Sequence, residues 1–359
     1  MEQGLTYQEN KNFRASPSWI MKWLRLTNEP TVRVYHGYAQ PGKMFVFGHV
    51  LGFGPLPRKK YRKNVWTNTF ALLRSFMVKP VAGASVRLMW EGKWIYSKTE
   101  DDGFFKFEWD NQRHLENGWH EVTVEYLRGE EIAAKGKGTV FAPPENEYGF
   151  ISDIDDTFLI SHSASILKRL YVLLTKNAHS RKPFEGVVRH YQLLAKAATT
   201  GDEQNPFFYV SSSEWNLYSF IKEFCRKNEL PEGIFLLNQI KRLSQAWKTG
   251  KTKHATKFMR IARIIEAYPN QRFILLGDSS QQDPVIYSSI VEHFPKQIHA
   301  VYIRDVHEAN QKKVRETLIR LEQAGVPCCF FKHSSEAIDH SARIGLIAKE
   351  AVLDVRHEA

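Results

Sequence analysis

The chain has 359 residues, of which 43% are hydrophobic and 25% are charged; these are ordinary values for a globular protein, and they exclude a disordered tail. At about 100 to 200 residues per domain, this length predicts two domains. Lysine and arginine number 50 against 39 aspartates and glutamates, a net charge of +11, so the surface should attract phosphate groups on lipids, nucleic acids or small anions.

The cysteine content favours a reducing compartment. Cys225, Cys328 and Cys329 are too few and too unevenly placed for a disulfide framework. The sequence contains no apolar run near the roughly 18 residues that span a bilayer, and its first 30 residues lack a signal-peptide core. We therefore expect a soluble cytoplasmic protein.

The first predicted element is an N-terminal segment, 1–31. It contains Trp19, Ile20, Trp23 and Leu24 beside Lys22 and Arg25. This pattern fits either a short interfacial helix on a membrane or a segment packed against the next domain. A basic run at 58–63 likewise fits either contact with anionic lipid or a solvated loop. Peripheral membrane contact through these basic patches is one hypothesis, and nucleic acid is not an expected partner.

Residues 32–145 are predicted to form an all-β sandwich of the immunoglobulin or transthyretin type. Short alternating runs occur at 32–35, 44–47, 84–88 and 121–126, separated by glycine, proline and aspartate, which is typical of strands and turns. Asp102-Gly103 precedes an alternating run and predicts a hairpin turn. Prolines at 143 and 144 then interrupt regular structure, so we place the domain boundary there.

Residues 146–359 are predicted to form an α/β domain with a parallel sheet. Strand-length apolar runs alternate with stretches of helical period. The predicted strands are 148–154, 206–210, 234–237, 272–276, 300–303 and 327–331. One predicted helix runs through 258–268 and a second through 314–321, with Gly325 as its terminator.

Acidic residues follow two of these predicted strands. Asp153, Asp155 and Asp156 come at the end of the first strand, and Asp278 and Asp283 follow the fourth. Crowded carboxylates raise one another's pKa unless a cation lies between them, and ligands of open α/β sheets bind at the carboxyl ends of strands. The pattern therefore predicts a shared Mg²⁺ site, whereas a lone aspartate there would more simply be a helix cap.

These motifs resemble those of a known enzyme superfamily. Residues 153–157, Asp-Ile-Asp-Asp-Thr, resemble the Asp-x-Asp-x-Thr signature of haloacid-dehalogenase-superfamily phosphotransferases, and a strand ending at Ser211, Lys257 on a helix and the acidic residues from Asp278 supply the other motifs in order. More narrowly, 210–218 and 276–284 resemble the actin-patch-associated phosphatidate phosphatases. The resemblance implies a haloacid-dehalogenase-like Rossmannoid domain preceded by the β-sandwich.

The resemblance also implies catalytic roles. Asp153 would attack the phosphorus and become an aspartyl-phosphate, and Asp155 would protonate the leaving oxygen and later activate water. Ser211 and Lys257 would bind phosphoryl oxygens. Lys253 remains an alternative to Lys257, because only position within the motif separates them.

The metal and substrate ligands are implied in the same way. Asp153, the backbone carbonyl of Asp155 and Asp278 would hold Mg²⁺, and Asp283 would bind it directly or through water. The candidates for substrate contact are Thr157, Ser212 and Arg304. Arg304 is a candidate because it ends a further predicted strand, and a surface salt bridge is the alternative for it. Ser212 is also an alternative to Ser211 as the phosphate ligand.

Together these features predict a Mg²⁺-dependent phosphatase acting on phosphatidate or a related lipid phosphate. Two alternatives stay open at this point. One is a phosphatase for a soluble phosphoester or phosphoprotein, since nothing in the acidic cluster recognises a leaving group. The other is a non-catalytic module that binds anionic lipid or nucleic acid.

Overall fold

The structure is a computed structural model. It describes residues 26–55, 75–111, 115–144, 146–154, 186–201, 203–238, 253–280 and 282–348. The described residues form two sheets and six helices. The interfacial segment predicted around Trp19 and the basic run at 58–63 lie outside them. None of the described helices is both long and apolar enough to cross a membrane.

The first sheet has ten strands and is almost entirely antiparallel. Its strands are β1 (Leu26–Thr27), β2 (Thr31–Val34), β3 (Gly37–Gln40), β4 (Lys43–Pro55), β5 (Lys79–Pro80), β6 (Ser85–Trp90), β7 (Lys93–Lys98), β8 (Phe104–Asp110), β9 (Gly118–Arg128) and β10 (Glu131–Ala142). The main path is β1-β4-β3-β10-β9-β6-β7, and β2, β5 and β8 also pair with β4. Only the β3–β10 pair is parallel among these ladders. The four alternating runs in this region are confirmed as strands.

Alternation along the strands separates a core face from a solvent face. In β6, Val86 and Leu88 are fully buried while Met89 is 40% exposed, as expected when successive side chains point to opposite faces. The tight turn predicted at Asp102-Gly103 is confirmed. Gly103 has φ +78°, its amide donates to the Glu100 carbonyl at 2.9 Å, and the Glu100 amide donates to the Phe104 carbonyl at 2.7 Å. The strand that follows the turn, β8, pairs with β4.

The second sheet has six parallel strands, in agreement with all six predicted strand positions. They are β11 (Tyr148–Asp153), β12 (Phe207–Glu214), β13 (Ile234–Asn238), β14 (Arg272–Asp278), β15 (Ile298–Arg304) and β16 (Cys328–Phe331). The helices are α1 (Val187–Ala195), α2 (Tyr218–Lys227), α3 (Lys253–Ala267), α4 (Asp283–His293), α5 (Gln311–Gln323) and α6 (Ser334–Arg343). The predicted helices at 258–268 and 314–321 are confirmed as parts of α3 and α5.

The strand order β13-β12-β11-β14-β15-β16 is that of a doubly wound sheet. Alternate strand residues enter two separate cores, with Phe150 in one and Ile151 in the other. Helices α1, α2 and α6 cover the first face and α3, α4 and α5 cover the second. From β11 the chain adds β12 and β13 on one side of the sheet and then β14, β15 and β16 on the other, so the strand order reverses between β11 and β14. Folds of this kind bind ligands at this topological switch point.

The antiparallel sheet packs directly on the α/β region. The Tyr35 ring stacks on Trp215 with centroids 4.2 Å apart, and the Tyr38 ring meets Phe208 edge-on. Because these residues belong to the same two cores as the parallel strands, the two regions share buried apolar surface. The described part of the chain is thus a mixed α/β structure, as the sequence predicts at that level.

Candidate active site

Asp153 is the last residue of β11. Strand β11 is buried along its whole length, because β12 and β14 flank it and helices cover both faces. Asp153 is 0% exposed and lies opposite Val210 of β12. The sheet therefore fixes this carboxylate at the carboxyl end of its innermost strand.

Asp278 and Asp283 approach Asp153 from the neighbouring strand. Asp278 ends β14, and Asp283 opens α4 with a proline directly after it. The Asp278 amide donates to Asp283 Oδ2 at 3.4 Å, and the Ser280 amide donates to Asp278 Oδ1 at 2.6 Å. A Cβ atom at Gly277 would lie 2.6 Å from Asp283 Oδ2, so only glycine permits this close approach.

The three carboxylates form one compact group. Each of Asp153, Asp278 and Asp283 is fully buried and offers an oxygen within 4.8 Å of the other two. Lys257 completes the group: its Nζ lies 3.0 Å from Asp153 Oδ2 and also contacts Asp283 Oδ1. We call these four residues the acidic cluster.

Lys257 is buried because of its position on α3. It precedes Ile261 by one turn and Ile264 by two, and all three residues lie on the helix face that packs against the sheet. Only 2% of Lys257 is exposed. Lys253 is the first residue of α3, and its side chain lies outside the described part of the chain.

The electrostatics of the acidic cluster fit a divalent cation. Three carboxylates share one ammonium, which leaves two negative charges within this group if all four are ionised. The pKa of the Asp283 carboxyl is raised overall. Burial is the main cause and the neighbouring Asp278 carboxylate adds to it, whereas Lys257 acts in the opposite direction. A hard dication bound by carboxylate oxygens would relieve that repulsion, so the donor set suits a metal ion of this class.

The two candidate serines lie beside Asp153 on β12. Ser211 follows Val210, the strand partner of Asp153, and is fully buried. Its Oγ accepts a hydrogen bond from the Ser213 amide at 2.9 Å. Ser212 is 7% exposed. The structure places both serines directly after Val210, the residue that pairs with Asp153, and leaves the choice between them open.

Arg304 lies on the other side of the cluster. It ends β15 directly opposite Asp278 and is 3% exposed. Its guanidinium donates to Ser334 Oγ at 2.7 Å and to the Lys332 carbonyl at 3.2 Å, and it lies over the Phe331 ring. Burial lowers its pKa to about 10, which still leaves it charged at neutral pH. The Ser334 hydroxyl and the Lys332 carbonyl therefore hold the Arg304 guanidinium in place.

Two predicted site residues, Asp155 and Thr157, lie outside the described residues, as does Asp156. The structure therefore brings together Asp153, Asp278, Asp283 and Lys257, with Ser211, Ser212 and Arg304 around them.

One neighbour of the cluster was not identified from the sequence. Tyr191 of α1 shares a hydrogen bond of 2.9 Å with Ser152 Oγ, one residue before Asp153. Its hydroxyl is buried, and burial raises its pKa. Since α1 lies almost 40 residues beyond Ser152 in the chain, no local motif could have indicated this contact.

Solved structures offer only weak likenesses. A carbohydrate acetylesterase from Xanthomonas citri gives a TM-score of 0.28 at 12% identity, over 81% of this chain and 72% of that chain. A beta-glucuronidase from Ruminococcus gnavus gives a TM-score of 0.26 at 9% identity, over 84% of this chain and 53% of that chain. Likenesses at this level support no argument about function.

Sequence comparison is more informative. Over 158 residues, 44% of this chain and 25% of the relative, the chain is 32% identical to phosphatidate phosphatase APP1 of Saccharomyces cerevisiae. An uncharacterized protein of Schizosaccharomyces pombe is 24% identical over 163 residues, 45% of this chain and 26% of that protein. The chain thus spans about a quarter of the length of these relatives. Residues 148–305 match the family model described as phosphatidate phosphatase APP1, catalytic domain, which confirms the narrower resemblance carried by 210–218 and 276–284.

Proposed function

We propose that this chain is a Mg²⁺-dependent phosphatase that hydrolyses phosphatidate or a related lipid phosphate to diacylglycerol and phosphate. One observation carries the proposal: the acidic cluster lies at the switch point of a doubly wound sheet. The cluster also falls within the segment that is similar to the APP1 catalytic domain.

In the proposed reaction, an oxygen of Asp153 attacks the phosphorus and the bond to the leaving oxygen breaks. The leaving oxygen takes a proton, and water then hydrolyses the aspartyl-phosphate to regenerate Asp153. Lys257, 3.0 Å from Asp153 Oδ2, orients the attacking carboxylate and stabilises negative charge on the transferring group. The motif resemblance assigns the proton transfers to Asp155 and contact with phosphoryl oxygens to Ser211 or Ser212.

Asp153, Asp278 and Asp283 would hold the magnesium ion, together with the Asp155 carbonyl. When bound, the ion neutralises charge on the phosphoryl oxygens. Arg304 would add positive charge next to Asp278, and its rigid anchoring by Ser334 suits it to fix the position of an anionic substrate. Thr157 is proposed as a further substrate contact.

The remaining parts of the chain are assigned supporting roles in this proposal. Residues 146–359 would form a haloacid-dehalogenase-like catalytic domain and 32–145 a β-sandwich that positions it. The segment 1–31 and the basic run at 58–63 would contact anionic lipid from the cytoplasmic side. The net charge of +11 supports attraction to such a surface.

The test is phosphate release from phosphatidate in phosphatidylcholine vesicles, compared with glycerol 3-phosphate and a phosphopeptide, in Mg²⁺, Ca²⁺ and chelator. We expect turnover of the vesicle substrate in Mg²⁺ and its loss in chelator. Preference for a soluble substrate would replace the lipid assignment with that of a soluble phosphoester or phosphoprotein phosphatase. Salt-sensitive vesicle binding with no phosphate release would favour the non-catalytic alternative.

Asp153→Asn tests the proposed nucleophile. An amide of the same shape cannot attack phosphorus, so we expect turnover to fall by a factor of about 10³ or more while the circular dichroism spectrum is unchanged. Asp110→Asn, at the distant end of β8, is the matched control and should keep full activity. Normal turnover by Asp153→Asn would exclude Asp153 as the nucleophile.

A further inference from the structure

A cavity of about 720 Å³ lies at the end of the parallel sheet opposite the acidic cluster. Asn146 and Gln271 line it; Asn146 lies two residues before β11, and Gln271 lies directly before β14. These are the strands that carry Asp153 and Asp278 at their other ends. At about 3.3 Å per residue, a six-residue strand puts roughly 20 Å between the two places. The cavity is therefore separate from the proposed catalytic site.

The walls of the cavity come from both sheets. Gln40 ends β3 of the antiparallel sheet, whereas Asn270 belongs to the turn between α3 and β14. The cavity is thus a cleft at the junction of the two regions. Clefts of this kind, with volumes of about 300 to 1,000 Å³, are where small molecules most often bind.

The walls of the cavity are nearly uncharged: about half of the lining residues are apolar, chiefly alanine and proline, and most of the others are amides. Six side-chain amides contribute, from Gln40, Asn111, Asn117, Asn146, Asn270 and Gln271. The described lining includes no lysine, arginine or histidine, and its one carboxylate, Glu147, is paired with Arg272. In a chain of net charge +11, this lining does not attract phosphate groups.

Two of these amides have buried atoms whose hydrogen-bonding capacity is not used. Gln271 is 7% exposed, and its Oε1 has no hydrogen-bond partner among the described residues. The same holds for Asn146 Nδ2. One of these atoms is an acceptor and the other is a donor. Buried polar atoms are nearly always paired, because an unmade hydrogen bond there is costly.

We propose that this cavity binds a neutral polyhydroxylated ligand of the size of a mono- or disaccharide. A hydroxyl group both donates and accepts, so neighbouring hydroxyls can satisfy Gln271 Oε1 and Asn146 Nδ2 together. Gln40 and Asn270 add further donors and acceptors at the cavity, whereas the Asn117 amide nitrogen already donates to Glu203 Oε1 at 2.9 Å. An extended peptide fits less well, because peptides of that kind pair along an open strand edge, whereas these residues come from strand ends and turns.

The proposal stands apart from the proposed phosphatase function, and its test does not use phosphatase activity. The full chain is titrated with glucose, mannose, galactose, myo-inositol, sucrose and trehalose to about 10 mM. Binding is followed by isothermal titration calorimetry and by saturation-transfer NMR. We expect at least one of these compounds to bind.

Gln271→Met removes the buried amide whose Oε1 the ligand would satisfy. Methionine fills a similar volume without the amide, so the ligand-free Tm should rise by about 1–2 °C while affinity for the bound polyol falls at least about tenfold. Gln192→Met is the matched control. The Gln192 amide donates to the Glu229 carbonyl at 3.0 Å and lies outside the cavity, so this variant should lower Tm and leave binding unchanged.

Asn270→Ala decides the outcome if Gln271→Met does not fold. Asn270 is exposed at the rim, so its truncation should preserve the fold and weaken binding several-fold. The proposal is overturned if none of the six polyols binds, or if binding survives both cavity variants unchanged.

Discussion

Replacing Lys257 by methionine tests whether the acidic cluster needs a cation. In the folded protein, the Lys257 ammonium lies 3.0 Å from Asp153 Oδ2 and contacts Asp283 as well. At an effective dielectric constant near 20, a pair at 3.0 Å attracts with about 5 kcal/mol. Lys257→Met removes that attraction and leaves three buried carboxylates together. We expect the free energy of unfolding in chelator to fall by about 3–5 kcal/mol at neutral pH.

The response to Mg²⁺ distinguishes this reasoning from a general packing defect. The variant site carries one more negative charge than the original site, so Mg²⁺ should stabilise Lys257→Met more than it stabilises the unaltered chain. Both free energies come from urea unfolding, with and without Mg²⁺, at matched ionic strength.

Lys312→Met is the control for the loss of a lysine. Lys312 is exposed on α5, and its replacement should change the free energy of unfolding by less than about 0.5 kcal/mol. If Lys257→Met lowers the free energy of unfolding in chelator by less than about 1 kcal/mol, the carboxylates do not need the ammonium. A smaller Mg²⁺ stabilisation in the variant than in the unaltered chain would lead to the same conclusion.

Three further predictions concern the site and the junction of the two regions. Gly277→Ala places a Cβ 2.6 Å from Asp283 Oδ2, so Mg²⁺ affinity, measured by titration calorimetry, should fall at least about tenfold. Burial lowers the pKa of His36 to about 4, whereas a histidine in the unfolded chain has a pKa near 6.5. The unfolded state therefore takes up the proton first, and the free energy of unfolding should fall by about 3 kcal/mol as the pH drops from 6.5 towards 4. Urea unfolding of His36→Gln should show a flatter pH dependence. Trp215→Ala removes the ring stacked on Tyr35 and should lower the free energy of urea unfolding by about 3–5 kcal/mol.

The sequence predicts the parallel sheet well because its strands are buried on both faces. Such strands appear as continuous apolar runs, and the carboxylates that follow Ile151 and Leu276 stand out against them. Since the carboxyl ends of parallel strands share one edge of the sheet, Asp153 and Asp278 could be expected to meet. The apolar runs and the geometry of parallel strands therefore both predict that the carboxylates of Asp153 and Asp278 lie together.

The contacts around the cluster are harder to predict, because they depend on packing between distant segments. Arg304 is anchored by Ser334, 30 residues further along the chain. Strand β8 pairs with β4 along its whole length, from Phe104 to Asp110, although β7 is its neighbour in the sequence. Neither contact leaves a periodic signal in the sequence. The amide-lined cavity is the extreme case, since its residues are spread from Gln40 to Gln271.

The charge of the acidic cluster also constrains the order in which ligands can bind. With Asp153, Asp278 and Asp283 ionised and Lys257 as their shared cation, the group keeps two negative charges in a fully buried place. A phosphate dianion brought to Asp153 would be repelled strongly by such a site. Phosphate should therefore bind only once a divalent ion is present.

This order of binding can be measured without turnover. Inorganic phosphate should raise the Tm of the full chain in Mg²⁺ and leave it unchanged in chelator, because a ligand stabilises only the state that binds it. Sulfate at the same ionic strength controls for general salt effects. An equal Tm increase from phosphate in chelator would mean that Lys257 and Arg304 suffice to hold the anion, and that the carboxylates are not the ligands of a metal on which phosphate binding depends.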